Sequence, residues 1–107
     1  MMEDLIERSL TWAWNQRIIQ EVSCGNQLDK IREELNEVQE ELKGRDVLNL
    51  QNEIGDVLFS TITLSAQLGF DPKECLRLAV EKNEKRTGIV RNGMFIRTEA
   101  DMDMQWK

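Results

Sequence analysis

The stretch from Val47 to Phe70 carries only two charged residues, Glu53 and Asp56, in the run N-E-I-G-D. From Val57 to Leu64 it reads V-L-F-S-T-I-T-L, and no charge follows Asp56 until Asp71. The polar residues Asn49, Asn52, Glu53, Asp56, Ser60, Thr63 and Gln67 recur at i, i+3 and i+4 spacing. They fall on one narrow stripe of a helix that is otherwise apolar. Such a helix needs cover from more than one neighbour. Two carboxylates on it cost free energy unless they are paired or coordinated.

The remaining sequence supplies the neighbours. A helix over roughly 3–22 is expected from Ile6, Leu10, Trp14, Ile18 and Val22, which recur every four positions, with Ser23-Cys24-Gly25 as its break. A second runs over roughly 27–43, with Asn26 as its cap and Gly44 just past its end. Asp46 is placed to cap the third helix, which ends at Gly69. Asp71-Pro72 opens a fourth, because proline suits the first helical position; it runs to about Thr87, and Gly88 stops it. Residues 89–96, I-V-R-N-G-M-F-I, read as a small hairpin, since Asn-Gly favours a type I′ turn. The last ten residues are polar and are expected to gain order only from a neighbour. The expected fold class is all-α: a four-helix, bundle-type subunit with a short C-terminal hairpin or irregular tail. It forms one domain over 1–107, helical over about 3–87 with a tail over 88–107.

Size and charge narrow the function classes. The chain has 107 residues, 32% charged and 40% hydrophobic, which suits one soluble domain. A chain this short buries about two-thirds of its unfolded surface. Four short helices do not cover the apolar helix on all sides, so at least a homodimer is expected. The net charge of −6 argues against a nucleic-acid-binding surface. No apolar run approaches the ~20 residues that span a bilayer. The acidic opening M-M-E-D does not fit an export signal. The expected location is therefore cytoplasmic, with no membrane partner. Cys24 and Cys75 lack CxxC spacing and read as free thiols of a reducing compartment. There is no histidine, which removes Ser-His and Cys-His nucleophiles, histidine bases and any site built on Glu-x-x-His.

The second helix holds the acids that give Glu53 and Asp56 a purpose. In R-E-E-L-N-E-V-Q-E-E-L, residues 32–42, five glutamates crowd one helix although like charges at this spacing repel. At about 100° per residue, Leu28, Ile31, Leu35, Val38 and Leu42 cluster on one side. Glu34 and Glu41 lie nearest that stripe and Glu37 next, while Glu33 and Glu40 point outward. Taken alone, this is a solvated acidic face relieved by Lys30 and Lys43. Beside Glu53 and Asp56 it becomes a second pair of acids, Glu34 and Glu37, one turn apart and able to reach the same spot. Four oxygen donors without histidine or thiolate suit Mg²⁺ or Mn²⁺. Mg²⁺ usually keeps waters and binds substrate phosphates, so the cluster points to phosphate chemistry. No Asx-rich calcium loop is present.

Glu33-Glu34-Leu35-Asn36-Glu37, followed after a gap by Glu53-Ile54-Gly55-Asp56, resembles the E-E-x-x-E … E-x-x-D signature of the MazG-like nucleoside triphosphate pyrophosphohydrolases. Gly55-Asp56-Val57-Leu58-Phe59, the corner Leu68-Gly69-Phe70-Asp71-Pro72, Trp14 with Arg17, and Lys82 with Arg86 are also similar to that family, over about residues 5–87. The tail after Gly88 has no clear match. The resemblance implies an all-α fold with paired subunits, a dimer or a tetramer built from two dimers. It implies cleavage of a (deoxy)nucleoside triphosphate between the α and β phosphates, as nucleotide-pool house-cleaning. It also implies Mg²⁺ held by Glu34, Glu37, Glu53 and Asp56.

Roles for the other residues follow as expectations. Glu33 or Glu37 takes the proton of the attacking water, and Glu33 is preferred as the outer base. Lys82 and Arg86, at i and i+4, either contact the β and γ phosphates or are basic residues at a helix end. Asn83 either bonds the sugar or a phosphate or is a satisfied buried amide. Trp12 lies off the apolar stripe and either stacks on a base or packs at a surface. Trp14 fits the stripe and is expected in the core, while Trp106 has no assignable role. Rival readings are a related pyrophosphohydrolase acting on phosphoribosyl-ATP, on a nucleoside diphosphate or on dUTP or dCTP alone, and a non-catalytic helical interaction module.

Overall fold

The computed structural model describes residues 1–44 and 46–98. Its elements, in order, are α1 (Met2–Asn15), α2 (Ile18–Glu21), α3 (Cys24–Gly44), α4 (Val47–Gln67), α5 (Pro72–Glu84), β1 (Gly88–Arg91) and β2 (Met94–Arg97). The fold is all-α apart from this hairpin. The described residues fall into two compact units, one from Met1 to Cys75 and one beginning at Leu76. The tail residues beyond Thr98, Trp106 included, lie outside the described residues.

The first expected helix is two helices. A period of four drifts about 40° per step against the helical repeat, so five residues spaced by four do not stay on one face. Ile6 is buried and Leu10 half-buried, but Trp14 has rotated outward and is 58% exposed. The core position is Ala13, seven residues after Ile6 and fully buried. The chain then breaks at Arg17, which adopts φ 65° and starts α2, returning Ile18 to a half-buried place. The expectation of Trp14 in the core is corrected by this drift.

The second expected helix starts earlier than its cap residue suggested. Ser23 Oγ accepts from the Asn26 backbone N–H at 3.0 Å, so Ser23 closes the first turn and Asn26 lies inside α3. Asp46 caps α4 as expected, accepting from the Asn49 N–H at 3.1 Å. Asp71 accepts from the Lys73 N–H at 2.9 Å, with Pro72 as the first residue of α5. That helix ends at Glu84 rather than Thr87, which leaves Arg86 beyond its last turn.

Gly88 therefore does not stop a helix; it opens β1 and pairs with Arg97. A Cβ there would collide with the Ile96 carbonyl oxygen of the facing strand. Asn92 and Gly93 both have positive φ, 54° and 76°, as the Asn-Gly turn requires.

Packing within the first unit is dominated by α3 against α4, with α1 and α2 also on α4. The inward side is polar. Gln27 and Glu34 of α3 and Ser60 and Thr63 of α4 are buried, whereas the only buried apolar residues described are Ile6 and Ala13. The apolar series on α3 is divided: Ile31 and Val38 are half-buried, whereas Leu28, Leu35 and Leu42 are exposed, as are Ile54 and Leu58 on α4.

Candidate metal centre

Glu34 and Glu37 stand one turn apart on α3, and Glu53 stands on α4 where the two helices pack. One carboxylate oxygen from each lies within 4.8 Å of the other two. Glu34 is only 5% exposed, Glu53 is half-buried and Glu37 is exposed. Three of the four expected ligands are therefore brought together. The fourth, Asp56, is outside that trio, but it lines one cavity with Glu34 and its charge acts on Glu53.

The carboxyls are incompletely satisfied. Lys30, one turn before Glu34, places its ammonium 2.9 Å from Glu34 Oε1. That hydrogen bond, with the Glu34 charge behind it, holds the Lys30 pKa above its usual value. Glu34 Oε2 is buried and finds no hydrogen-bond donor among the described residues, and the same is true of Glu53 Oε2. A buried carboxylate oxygen without a donor is costly. Glu53 responds by holding a proton: its pKa is pushed up to about 7, first by a hydrogen bond with Glu37, then by burial, then by the charges of Glu37, Asp56 and Glu34. A hard divalent cation fits this donor set. All donors are carboxylate oxygens, and Glu34 and Glu53 each hold a buried oxygen in need of a partner.

The other expected site residues are placed as follows. Glu33 is exposed, outside the converging trio, with Oε2 4.0 Å from Lys30 Nζ. Trp12 is 47% exposed, and its ring centroid lies 5.3 Å from that of Phe59 at an interplanar angle of 59°. Lys82, Asn83 and Arg86 belong to the second unit. Asn83 is exposed rather than a buried amide; its Nδ2 donates to the Ala79 carbonyl at 2.8 Å and its Oδ1 accepts from Arg86 at 2.9 Å.

Two residues escaped the sequence reading. From the sequence Lys30 reads only as relief for a charged face, and nothing there singles out Gln27. The available signal was their spacing of four and seven residues before Glu34, which puts all three on one side of α3.

Comparison with known proteins gives the site a family. Residues 25–90 match the MazG nucleotide pyrophosphohydrolase domain. The protein called nucleoside triphosphate pyrophosphohydrolase/pyrophosphatase MazG from Thermotoga maritima is 43% identical over 58 residues, which is 54% of this chain and 22% of that protein. A nucleoside triphosphate pyrophosphohydrolase of Escherichia coli K12 is 39% identical over 66 residues, 60% of this chain and 25% of its own length. The matched stretch thus spans no more than a quarter of either relative. No solved structure gives a significant match. The domain match takes in more than half of the chain and both acidic segments, and the chain belongs to the MazG nucleotide pyrophosphohydrolase domain family.

Proposed function

We propose that the chain hydrolyses (deoxy)nucleoside triphosphates between the α and β phosphates, with a divalent cation, Mg²⁺ or Mn²⁺, as cofactor. The observation that carries this reading is the convergence of Glu34, Glu37 and Glu53 with two buried oxygens lacking donors. Family membership and the printed names of the relatives support the same reaction class. Glu34, Glu37, Glu53 and Asp56 would hold the ion. When bound, Mg²⁺ supplies positive charge that offsets the phosphates and lowers the pKa of a nearby water.

The chain's own residues do the rest. Lys30 holds one oxygen of Glu34 and leaves the other without a donor among the described residues. Metal binding requires the Glu53 carboxyl, whose pKa is raised by its Glu37 hydrogen bond and by burial, to be ionised. Glu33 is not engaged in that pair and is the base we assign. It takes a proton from water as the water oxygen bonds to the α phosphorus; the bond to the bridging oxygen breaks, and pyrophosphate departs with the electron pair. Trp12 is assigned to the base. The working form is a homodimer or homotetramer, supported by the apolar residues that α3 and α4 turn outward. No helix among the described residues is long and apolar enough to cross a membrane, and the two cysteines are free thiols, which suits the cytoplasm.

The test is pyrophosphate release from dNTPs with Mg²⁺, in the wild type and in Glu53→Gln. Release that is lost in the variant supports the assignment, and wild-type turnover in the variant contradicts it.

A further inference from the structure

Arg17, between α1 and α2, is a non-glycine residue in the left-handed region, with φ 65° and ψ 19°. Backbone of this kind persists only where its surroundings impose it. Three side-chain contacts do so. Arg17 pairs with Glu21, Nε to Oε2 at 2.6 Å, but both side chains are open to water. Gln20 Nε2 donates back to the Trp14 carbonyl at 3.0 Å and ties α2 to the end of α1. The third contact comes from α4. Gln67 Nε2 donates to the Val22 carbonyl at 2.7 Å and to the Ile18 carbonyl at 3.4 Å. A helix end leaves carbonyls without donors inside the helix, and Gln67 brings one to the end of α2.

Gln67 keeps this orientation at a cost. Its Oε1 is buried and finds no donor among the described residues. Turning the amide over would set that oxygen against the two carbonyls, acceptor against acceptor. The amide is therefore oriented by α2 and not by its own oxygen.

The placement of α2 has a consequence beside the acids. Ile18 lines a cavity of about 230 Å³ whose wall also carries Glu34, Asp56 and Lys30. Ile19, the next residue, lines a separate cavity with Leu10, Trp14 and Ala66. A rotation of this one-turn helix therefore moves Ile18 relative to the carboxylates. Gln67 grips the carbonyl of that same residue. The acids themselves stand on α3 and α4, which Gln27 joins separately by donating to the Ser60 carbonyl at 3.0 Å.

We propose that Gln67 is a positioning residue for the substrate: by holding α2 on α4 it sets the Ile18 side chain against the nucleotide, while touching neither the nucleotide nor the ion. The proposal rests on the pyrophosphohydrolase reading of the adjoining acids.

The test compares the full wild-type chain with Gln67→Met, which keeps the length and removes the donor. Amide hydrogen exchange reads the clamp. The N–H groups of Glu21 and Val22 bond to the Arg17 and Ile18 carbonyls at 3.0 Å each, and in the variant they should exchange about tenfold faster or more. Kinetics with Mg²⁺ and each of dATP, dCTP, dGTP and dTTP read the role: KM should rise about fivefold while kcat stays within about twofold. Calorimetric affinity for Mn²⁺ should also stay within about twofold, because Gln67 is no part of the ion site. Ile18→Ala should raise KM alike, and on top of Gln67→Met it should add less than about twofold. Gln67→Lys, which keeps a donor, should hold exchange and KM near wild type. Gln67→Glu replaces the methionine variant if circular dichroism shows that one unfolded. Unchanged exchange at Glu21 and Val22 overturns the clamp. Faster exchange with an unchanged KM, or with a matching loss of Mn²⁺ affinity, overturns the role toward the substrate. A wild type that releases no pyrophosphate from any of the four overturns the reaction and that role with it, and the exchange result then judges the clamp by itself.

Discussion

Glu53 carries the most specific prediction at the scale of a single residue. Its carboxyl titrates near 7 in the folded protein against a usual 4.5. The folded state therefore binds this proton more tightly than the unfolded chain does. The resulting stabilisation is complete below pH 4.5 and is lost as pH rises toward 7. Metal-free protein should melt at progressively lower temperature across that window, and Glu53→Gln should flatten the trend. A melting temperature that rises with pH in the wild type would contradict the raised Glu53 pKa. Lys30 belongs to the same argument: Lys30→Met removes the cation beside buried Glu34, and because the lysine itself is half exposed a loss of about 1 kcal/mol in urea unfolding is expected. The acids were legible in the sequence because i, i+3 spacing fixes a shared face. The Lys30 contact was not, because a long flexible side chain on a charged helix has many solvated alternatives.

Helix ends are decided by single hydrogen bonds, and these test the elements. Ser23→Ala should destabilise the protein by about 1 kcal/mol through loss of the α3 cap, and Asp46→Ala by a similar amount at α4. Asn26→Ala should change stability little, since Asn26 lies within the helix. Chemical denaturation separates these outcomes, and a large loss in Asn26→Ala would restore it as the cap. Gly88→Ala should disrupt the hairpin, seen as lost cross-strand contacts in NMR spectra, because the Ile96 carbonyl occupies the space. Helix existence and the Asn-Gly turn were readable from periodicity and turn chemistry. The break at Arg17 was not: no glycine or proline marks it, and only the accumulated drift of a four-residue period against the helix repeat demands it.

At the scale of the molecule, polar groups lie between α3 and α4 while leucines face outward. An apolar face exposed in this way is expected to be covered by a second copy. Light scattering should report a dimer or larger at micromolar concentration, and Leu35→Lys should shift it toward monomer. The apolar helix made association legible from sequence, but which face turns inward depends on tertiary pairing that no local pattern encodes. The ion site needs both helices in place, so it also probes the assembled fold. Calorimetric titration of the full chain with Mn²⁺ is the most direct test. Saturable binding in the wild type that disappears in Glu53→Gln is the predicted result; absence of saturable binding, or binding unchanged in that variant, would contradict the account.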